Sequence, residues 1–200
     1  NLLTTPDSGF QAVVSNVTAG SNLQVHITPL TTMAAAHALS MSGGLSEANI
    51  NAANQKVGTY FGGIDILNTQ PTNPLVSNSA TGATQEAINY GLILAGLSEE
   101  AQTLGLTNPL DLISALVEDF SDGSFDGQSG SSTVLLNGSA MDAATGTSSL
   151  ASAINTFSNG TVNVSGGSVS PALTAFISNP TAVTYTVGGT VSGLTGTGLV

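Results

Sequence analysis

Residues 83–97, ATQEAINYGLILAGL, predict the central helix of this chain. Within them, Ile88, Leu92 and Ala95 recur at the spacing of a single helical face. Four more apolar side chains widen that face: Tyr90, Ile93, Leu94 and Leu97. Such a broad apolar face is typical of a helix that is buried on several sides. We therefore expect the other elements to pack around this helix, which is predicted to end near Gly96.

Cap residues and helical spacing predict further short helices on both sides of the central one. Their predicted starts are Thr31 or Thr32, Ser46, Ser98 (with a stop at Gly105), Asn108-Pro109, Ser148 or Ser149, and Ser170-Pro171. Asn108-Pro109 is the clearest of these, because proline is already shaped for the first position of a helix. The predicted fold class is mainly α (α+β), a bundle of five to seven short helices with β-strands at the N- and C-terminal ends.

Alternating residues predict strands near both ends. Leu23, Val25 and Ile27 alternate with polar residues, the pattern of a half-buried strand, and residues 10–17 are its expected hairpin partner. Alternation returns after Pro180. We divide the chain into an N-terminal β-hairpin (1–28), a helical domain (29–180) and a C-terminal β-segment (181–200). The last segment is expected to pair with the N-terminal strands, a following domain or a neighbouring subunit.

The charge composition excludes several classes of partner. Only 6% of residues are charged, against about 25% in typical domains, and Lys56 is the single Lys or Arg in a chain of net charge −11. Nucleic acids and anionic membranes both require clustered basic residues, so neither is an expected partner. With no cysteine, the chain cannot form disulfides or zinc–thiolate sites. No apolar run reaches the length of a transmembrane helix, so membrane insertion is not expected.

The same composition favours an extracellular or cell-surface location. A surface solvated by uncharged polar side chains, with almost no sites for trypsin-like proteases, suits an exported protein. A lineage that simply uses few basic residues is the alternative explanation.

Residues 118–127, EDFSDGSFDG, are the best candidate for a binding site. Calcium prefers six to eight oxygen ligands from a flexible loop with glycine turns, and this segment offers carboxylates, hydroxyls and carbonyls. The candidate ligands are Asp119, Ser121, Asp122, Ser124 and Asp126. The spacing is not that of an EF-hand, since Gly130 stands where the final Glu would fall. The alternative is a solvated Asp-Gly turn.

Other candidate chemistry is weaker. His26 and His37 are predicted on different kinds of element and are not expected to share a metal. No G-x-S-x-G motif supports a hydrolase, and Lys56 is predicted on an exposed helical face, away from any isopeptide partner. We therefore expect no enzymatic activity. Four sequons provide candidate glycosylation sites at Asn16, Asn137, Asn159 and Asn163.

Short segments resemble a helical module of large bacterial exported lipoproteins and adhesin-like surface proteins. They are VHITPLTTMAA (25–35), INAAN (50–54), IDILNTQP (64–71) and DFSDGSFDG (119–127). In those proteins the module follows a carboxypeptidase-regulatory-like β-domain and often precedes Ig-like repeats. The tail TVGGTVSGLTGTGLV (186–200) resembles the opening of such a repeat. The resemblance implies export and a structural or adhesive setting, without a catalytic role.

The sequence therefore predicts a non-catalytic structural or adhesive component of a microbial cell surface or extracellular matrix. Its expected partners are copies of itself or neighbouring domains of the same protein, and terminal strands are the expected joining elements. A calcium-dependent ligand-binding module is the first alternative. A hydrolase fragment is the second.

Overall fold

Helices dominate the part of the chain that the structure describes, a computed structural model covering residues 2–4, 9–20 and 22–179. The helices are α1 (Pro29–Ser40), α2 (Glu47–Tyr60), α3 (Gln85–Thr103), α4 (Pro109–Asp119), α5 (Leu150–Asn159) and α6 (Pro171–Ser178). Three antiparallel pairs accompany them: β1 (Leu2–Thr4) with β2 (Gln11–Val13), β3 (Gln128–Ser129) with β4 (Ser132–Thr133), and β5 (Leu135–Leu136) with β6 (Ser139–Ala140). This architecture confirms the predicted mainly α bundle with small strands. None of the described helices is long and apolar enough to cross a membrane.

Side-chain caps set the starts of most helices. Ser46, Asn108 and Ser170 each accept a hydrogen bond from a backbone N–H in the first turn of α2, α4 and α6, as predicted. The predicted start of α1 at Thr31 or Thr32 is wrong. Thr28 is the cap, and its side chain and that of Thr31 each bond the other's backbone N–H, which places Pro29 at the first helical position.

The predicted break at Ser98 is also wrong, because α3 continues without interruption to Thr103. Leu97 and Ala101 are both buried, so the apolar face of α3 extends past Ser98 and holds the last turns against the core. Gly105 does end the helix, with a φ of 66° that favours glycine.

Close contact between α3 and α5 centres the core. A Cβ atom at Gly96 would lie 2.3 Å from Ile154 Cγ1 and 2.9 Å from Ile154 Cα. The two helices can approach this closely only because residue 96 lacks a side chain. The largest fully buried side chains of α3, α4 and α5 are Tyr90, Leu92, Ile93, Leu112, Leu116, Leu150 and Ile154.

Replacing Gly96 with alanine is therefore expected to destabilise the protein. The added methyl group must push α5 away from α3, and overpacking of this kind costs about 2 kcal/mol or more. Urea denaturation measures the loss. Ser98→Ala, an exposed position on the same helix, is the matched control for helix propensity. Equal midpoints for the two variants would contradict the close packing described here.

The predicted hairpin between residues 10–17 and 23–27 does not form. Instead β2 pairs with β1, in a register that sets Leu3 opposite Ala12. The other edge of β2 is occupied by helices: Gln11 N donates to Thr32 Oγ1 (2.9 Å) and Asn54 Nδ2 donates to Val13 O (3.0 Å).

Residues 23–27 therefore cannot pair with that edge of β2. They run outside any described sheet, and the N–H of His26 donates to the carbonyl of Leu67 at 3.0 Å. The predicted C-terminal β-segment, 181–200, lies outside the described residues. The division of the chain into a hairpin, a helical domain and a terminal segment stays a prediction.

Candidate functional site

The buried carboxylate of Asp119 binds the backbone of the acidic loop, residues 118–127. Asp119 is the last residue of α4 and is 0% exposed. Its Oδ1 accepts three backbone hydrogen bonds, from Asp126 N (3.2 Å), Gly127 N (2.8 Å) and Gln128 N (3.0 Å). A single carboxylate oxygen thus fixes the far end of the loop to the end of α4.

The remaining predicted calcium ligands lie in the same loop, where several also hold its backbone. Asp122 Oδ1 accepts from the backbone N–H (3.0 Å) and the hydroxyl (2.8 Å) of Ser124, and its Oδ2 accepts from Gly130 N (2.8 Å). Asp126 Oδ1 accepts from Gln128 N at 3.0 Å. Ser121 is tied in through its hydroxyl, 2.8 Å from that of Ser129. The hairpin of β3 and β4 follows directly from this loop.

These carboxylates bond to N–H donors of the loop. Among the residues that the structure describes, no group of three or more His, Cys, Asp or Glu side chains is arranged to hold a metal ion. Calcium binding by Asp119, Ser121, Asp122, Ser124 and Asp126 therefore stays a prediction. The chemistry that the distances display is capping of backbone donors by carboxylates.

Burial and hydrogen bonding act in opposite directions on the two best-anchored acids. Burial raises the pKa of Asp119 to about 6, against the lowering effect of its three backbone hydrogen bonds. Asp119 Oδ2 is buried without a hydrogen-bond partner, which accords with that rise. For Asp122, burial raises the pKa, but hydrogen bonds from Ser124 and Gly130 and the charge of Lys56 outweigh it and lower the pKa overall.

Two basic residues from separate helices reach the loop at Gly123. Its φ of 93° suits glycine, and a Cβ there would lie 2.2 Å from Lys56 Nζ and 3.0 Å from His37 Nε2. His37 Nδ1 lies 2.9 Å from the carbonyl oxygen of Ser121, to which the Ser40 hydroxyl also donates. The predicted exposed position of Lys56 is wrong, since its side chain is only partly exposed and lies beside the loop.

Aromatic rings anchor the loop on its inner side. The tilted rings of Phe120 and Phe125 lie 4.7 Å apart between centroids, and the ring of Tyr60 lies 4.9 Å from that of Phe125. The Tyr60 hydroxyl donates to Gly146 O at 2.9 Å. Burial, followed by the negative charge of Asp119, raises the pKa of Tyr60 well above its usual value. The loop is thus held by both apolar packing and hydrogen bonds.

A second polar feature, the buried carboxyl of Glu100, was not predicted from the sequence. Glu100 on α3 is 2% exposed, and both of its carboxyl oxygens are buried without a hydrogen-bond partner. The sequence did contain an indication of this, because Glu100 stands three residues after Leu97 and seven after Ile93, on the apolar face of α3. A carboxylate on such a face is unusual enough to mark a candidate site.

The predicted glycosylation sites differ in exposure, and the two histidines lie on different segments. The side chains of Asn16, Asn137 and Asn159 are exposed, and that of Asn163 is partly buried, donating to Ser158 O (3.0 Å) and Gly167 O (3.1 Å). His26 precedes α1 and His37 lies within it.

Comparisons of the chain with protein-family models, with curated proteins and with solved structures found no match. The resemblance to a helical module of bacterial surface lipoproteins therefore stays a prediction from the short motifs quoted above.

Proposed function

We propose that this chain is a non-catalytic structural module of an exported microbial protein at the cell surface or in the extracellular matrix. In this proposal it joins neighbouring modules or subunits by strand addition at β1. The observation that carries the proposal is the position of β1 as an outer strand of its two-stranded sheet.

The direction of the backbone groups supports strand addition. The backbone groups of Gln11 and Val13 bond to side chains of α1 and α2, on the edge of β2 that faces away from β1. The residue between them, Ala12, therefore directs its backbone groups to its partner Leu3 in β1. Backbone groups of successive residues in an antiparallel strand point to opposite edges. Leu2 and Thr4 therefore present their N–H and C=O groups outward, where another strand can bond them.

The rest of the molecule fits a structural role. The acidic loop uses its carboxylates to hold its own backbone, and the aromatic cluster beneath it is packed. A chain with 12 acids and a single Lys or Arg offers few sites to trypsin-like proteases, which suits an exported module.

Replacing Thr4 with proline is expected to weaken self-association about tenfold or more, because the variant lacks the outward N–H and its ring obstructs an added strand. The fold itself should be unchanged, since this N–H makes no bond to β2. Sedimentation of the purified chain over a wide concentration range, with electron microscopy of the same samples, measures the effect.

Thr4→Val is the matched control, because it changes the side chain but keeps the N–H. Its association should match that of the original protein. If the original protein and both variants sediment as monomers at every concentration, joining of copies through β1 is ruled out.

A further inference from the structure

A groove between α3 and α5 contains the buried carboxyl of Glu100. The groove has a volume of about 330 Å³. Glu100 lines it with 2% of its surface exposed and with neither oxygen bonded to the protein. A buried carboxyl that lacks a partner is costly, because it has given up its hydration without gaining a hydrogen bond. A ligand that supplied donors here would recover much of that cost.

Hydroxyl groups form the opposite wall of the groove. They belong to Ser148, Ser149, Ser152 and Thr156, and Thr103 adds another beside Glu100. In the part of the chain that the structure describes, the hydroxyls of the first four, which are exposed residues, make no hydrogen bond, whereas Thr103 Oγ1 donates to Glu99 O at 2.9 Å. Acceptor oxygens therefore line the same groove as the carboxyl.

A rare backbone conformation places two of these hydroxyls. Residues Thr145–Ser149 form a π-helical turn that leads into α5 and carries Ser148 and Ser149 to the groove. Single π-helical turns are uncommon and occur frequently at functional sites. The turn has a close packing contact of its own, since a Cβ at Gly146 would lie 2.3 Å from Phe125 Cδ1.

We propose that this groove binds a primary ammonium group on a short aliphatic stem, with Glu100 as the counter-charge and the α5 hydroxyls as additional acceptors. An ammonium group has three donors and no acceptor, which matches a groove lined by one carboxylate and several hydroxyl oxygens. Leu104 and Ala153 complete the lining and give the stem an apolar surface. The proposal is independent of strand addition at β1.

Other ligand classes fit the groove less well. Calcium is usually held by several carboxylates, and this groove provides one. A sugar ring usually stacks on an aromatic side chain, and no residue lining the groove is aromatic. A single positive charge with several N–H donors is the chemistry that uses all the groups present.

Charge at the groove depends chiefly on Glu100. Burial raises the pKa of Glu100 to about 8, so the carboxyl is largely neutral at pH 6 and ionised at pH 9. Neither α5 nor the π-helical turn has a titratable side chain. Glu99 is adjacent on α3, and α4, which also packs on α3, carries Asp111, Glu118 and Asp119. An alkylammonium ion remains protonated at pH 9, since its pKa resembles that of lysine, about 10.4.

Titration with n-butylammonium chloride tests the proposal, with the ¹³C chemical shift of the Glu100 carboxyl as the readout. A saturable shift is expected at pH 9, with binding at least about tenfold weaker at pH 6. Saturating n-butylammonium is expected to lower the pKa of Glu100 by about one unit. Sodium chloride at equal ionic strength and n-butanol, which has the same stem without the charge, should produce neither change.

Variants identify the groups involved. Glu100→Gln is expected to abolish binding, as followed by the amide shifts of Ser152 and its neighbours, whereas Glu99→Gln should leave it intact. Thr156→Val, which removes one hydroxyl at constant shape, should weaken binding severalfold and tests the groove independently of Glu100. An equal response to sodium or to n-butanol, or no saturable response at pH 9, would overturn the proposal.

Discussion

Replacing Asp119 with alanine is expected to lower the free energy of unfolding by about 4 kcal/mol. The substitution leaves the N–H groups of Asp126, Gly127 and Gln128 without their acceptor, and a buried donor without a partner costs about 1–3 kcal/mol. The three losses are not additive, because a freed loop can partly re-expose its backbone to water. Urea denaturation at pH 7 measures the change, and hydrogen exchange of the three amides should become faster.

Two further variants define the role of Asp119. Asp119→Asn keeps an acceptor oxygen for the loop and should retain more than half of the lost stability. Glu118→Ala changes the exposed acid next to it in the chain and should shift stability by less than about 0.5 kcal/mol. The loss for Asp119→Ala should be the same with calcium or with a chelator if the carboxylate acts on the backbone. A loss that appears only with calcium present would instead support the calcium prediction.

The acidic loop shows how far the sequence determines a site. Spacing alone located Asp119, Asp122 and Asp126 in one glycine-turned segment after a helix, and they do lie in one loop. The sequence could not determine which partners the carboxylates bond. That depends on where the backbone of residues 126–130 returns, and therefore on tertiary contacts: Phe120 packs against Phe125, and α1 and Lys56 of α2 contact the loop. His37 and Lys56 were missed for the same reason, because only tertiary packing brings them to Gly123.

Errors in the predicted fold likewise arise where tertiary packing decides the structure. Helix starts at Ser46, Asn108 and Ser170 were correctly predicted, since a cap is a bond between near neighbours in sequence. The strand predicted at 23–27 failed because the alternation of its residues says nothing about whether a free strand edge is available. Thr32 and Asn54 already occupy the edge of β2 that this segment would need.

Replacing Glu100 with glutamine is expected to change the free energy of unfolding by an amount that depends on pH. In the unfolded chain this carboxyl ionises near pH 4.5, whereas burial raises its pKa in the folded protein to about 8. Between these values the folded state retains a proton that the unfolded state has released, so the stability contributed by this group falls as pH rises and levels off above pH 8. The full difference corresponds to about 3–5 kcal/mol. Glu100→Gln, which has no charge to bury, is therefore expected to be more stable than the original protein by about this amount at pH 9.

At pH 4 the same substitution should change stability little, because it then exchanges one neutral side chain for another. Urea denaturation of both proteins from pH 4 to pH 9 gives the difference directly. The titration of Asp119 near pH 6 contributes to both proteins and cancels. Glu99→Gln, one residue earlier and partly exposed, should give a nearly constant difference of less than about 0.5 kcal/mol. A Glu100→Gln difference that is equally flat with pH would mean that Glu100 is solvated in the folded protein, and the groove would then lack the buried charge on which ammonium binding depends.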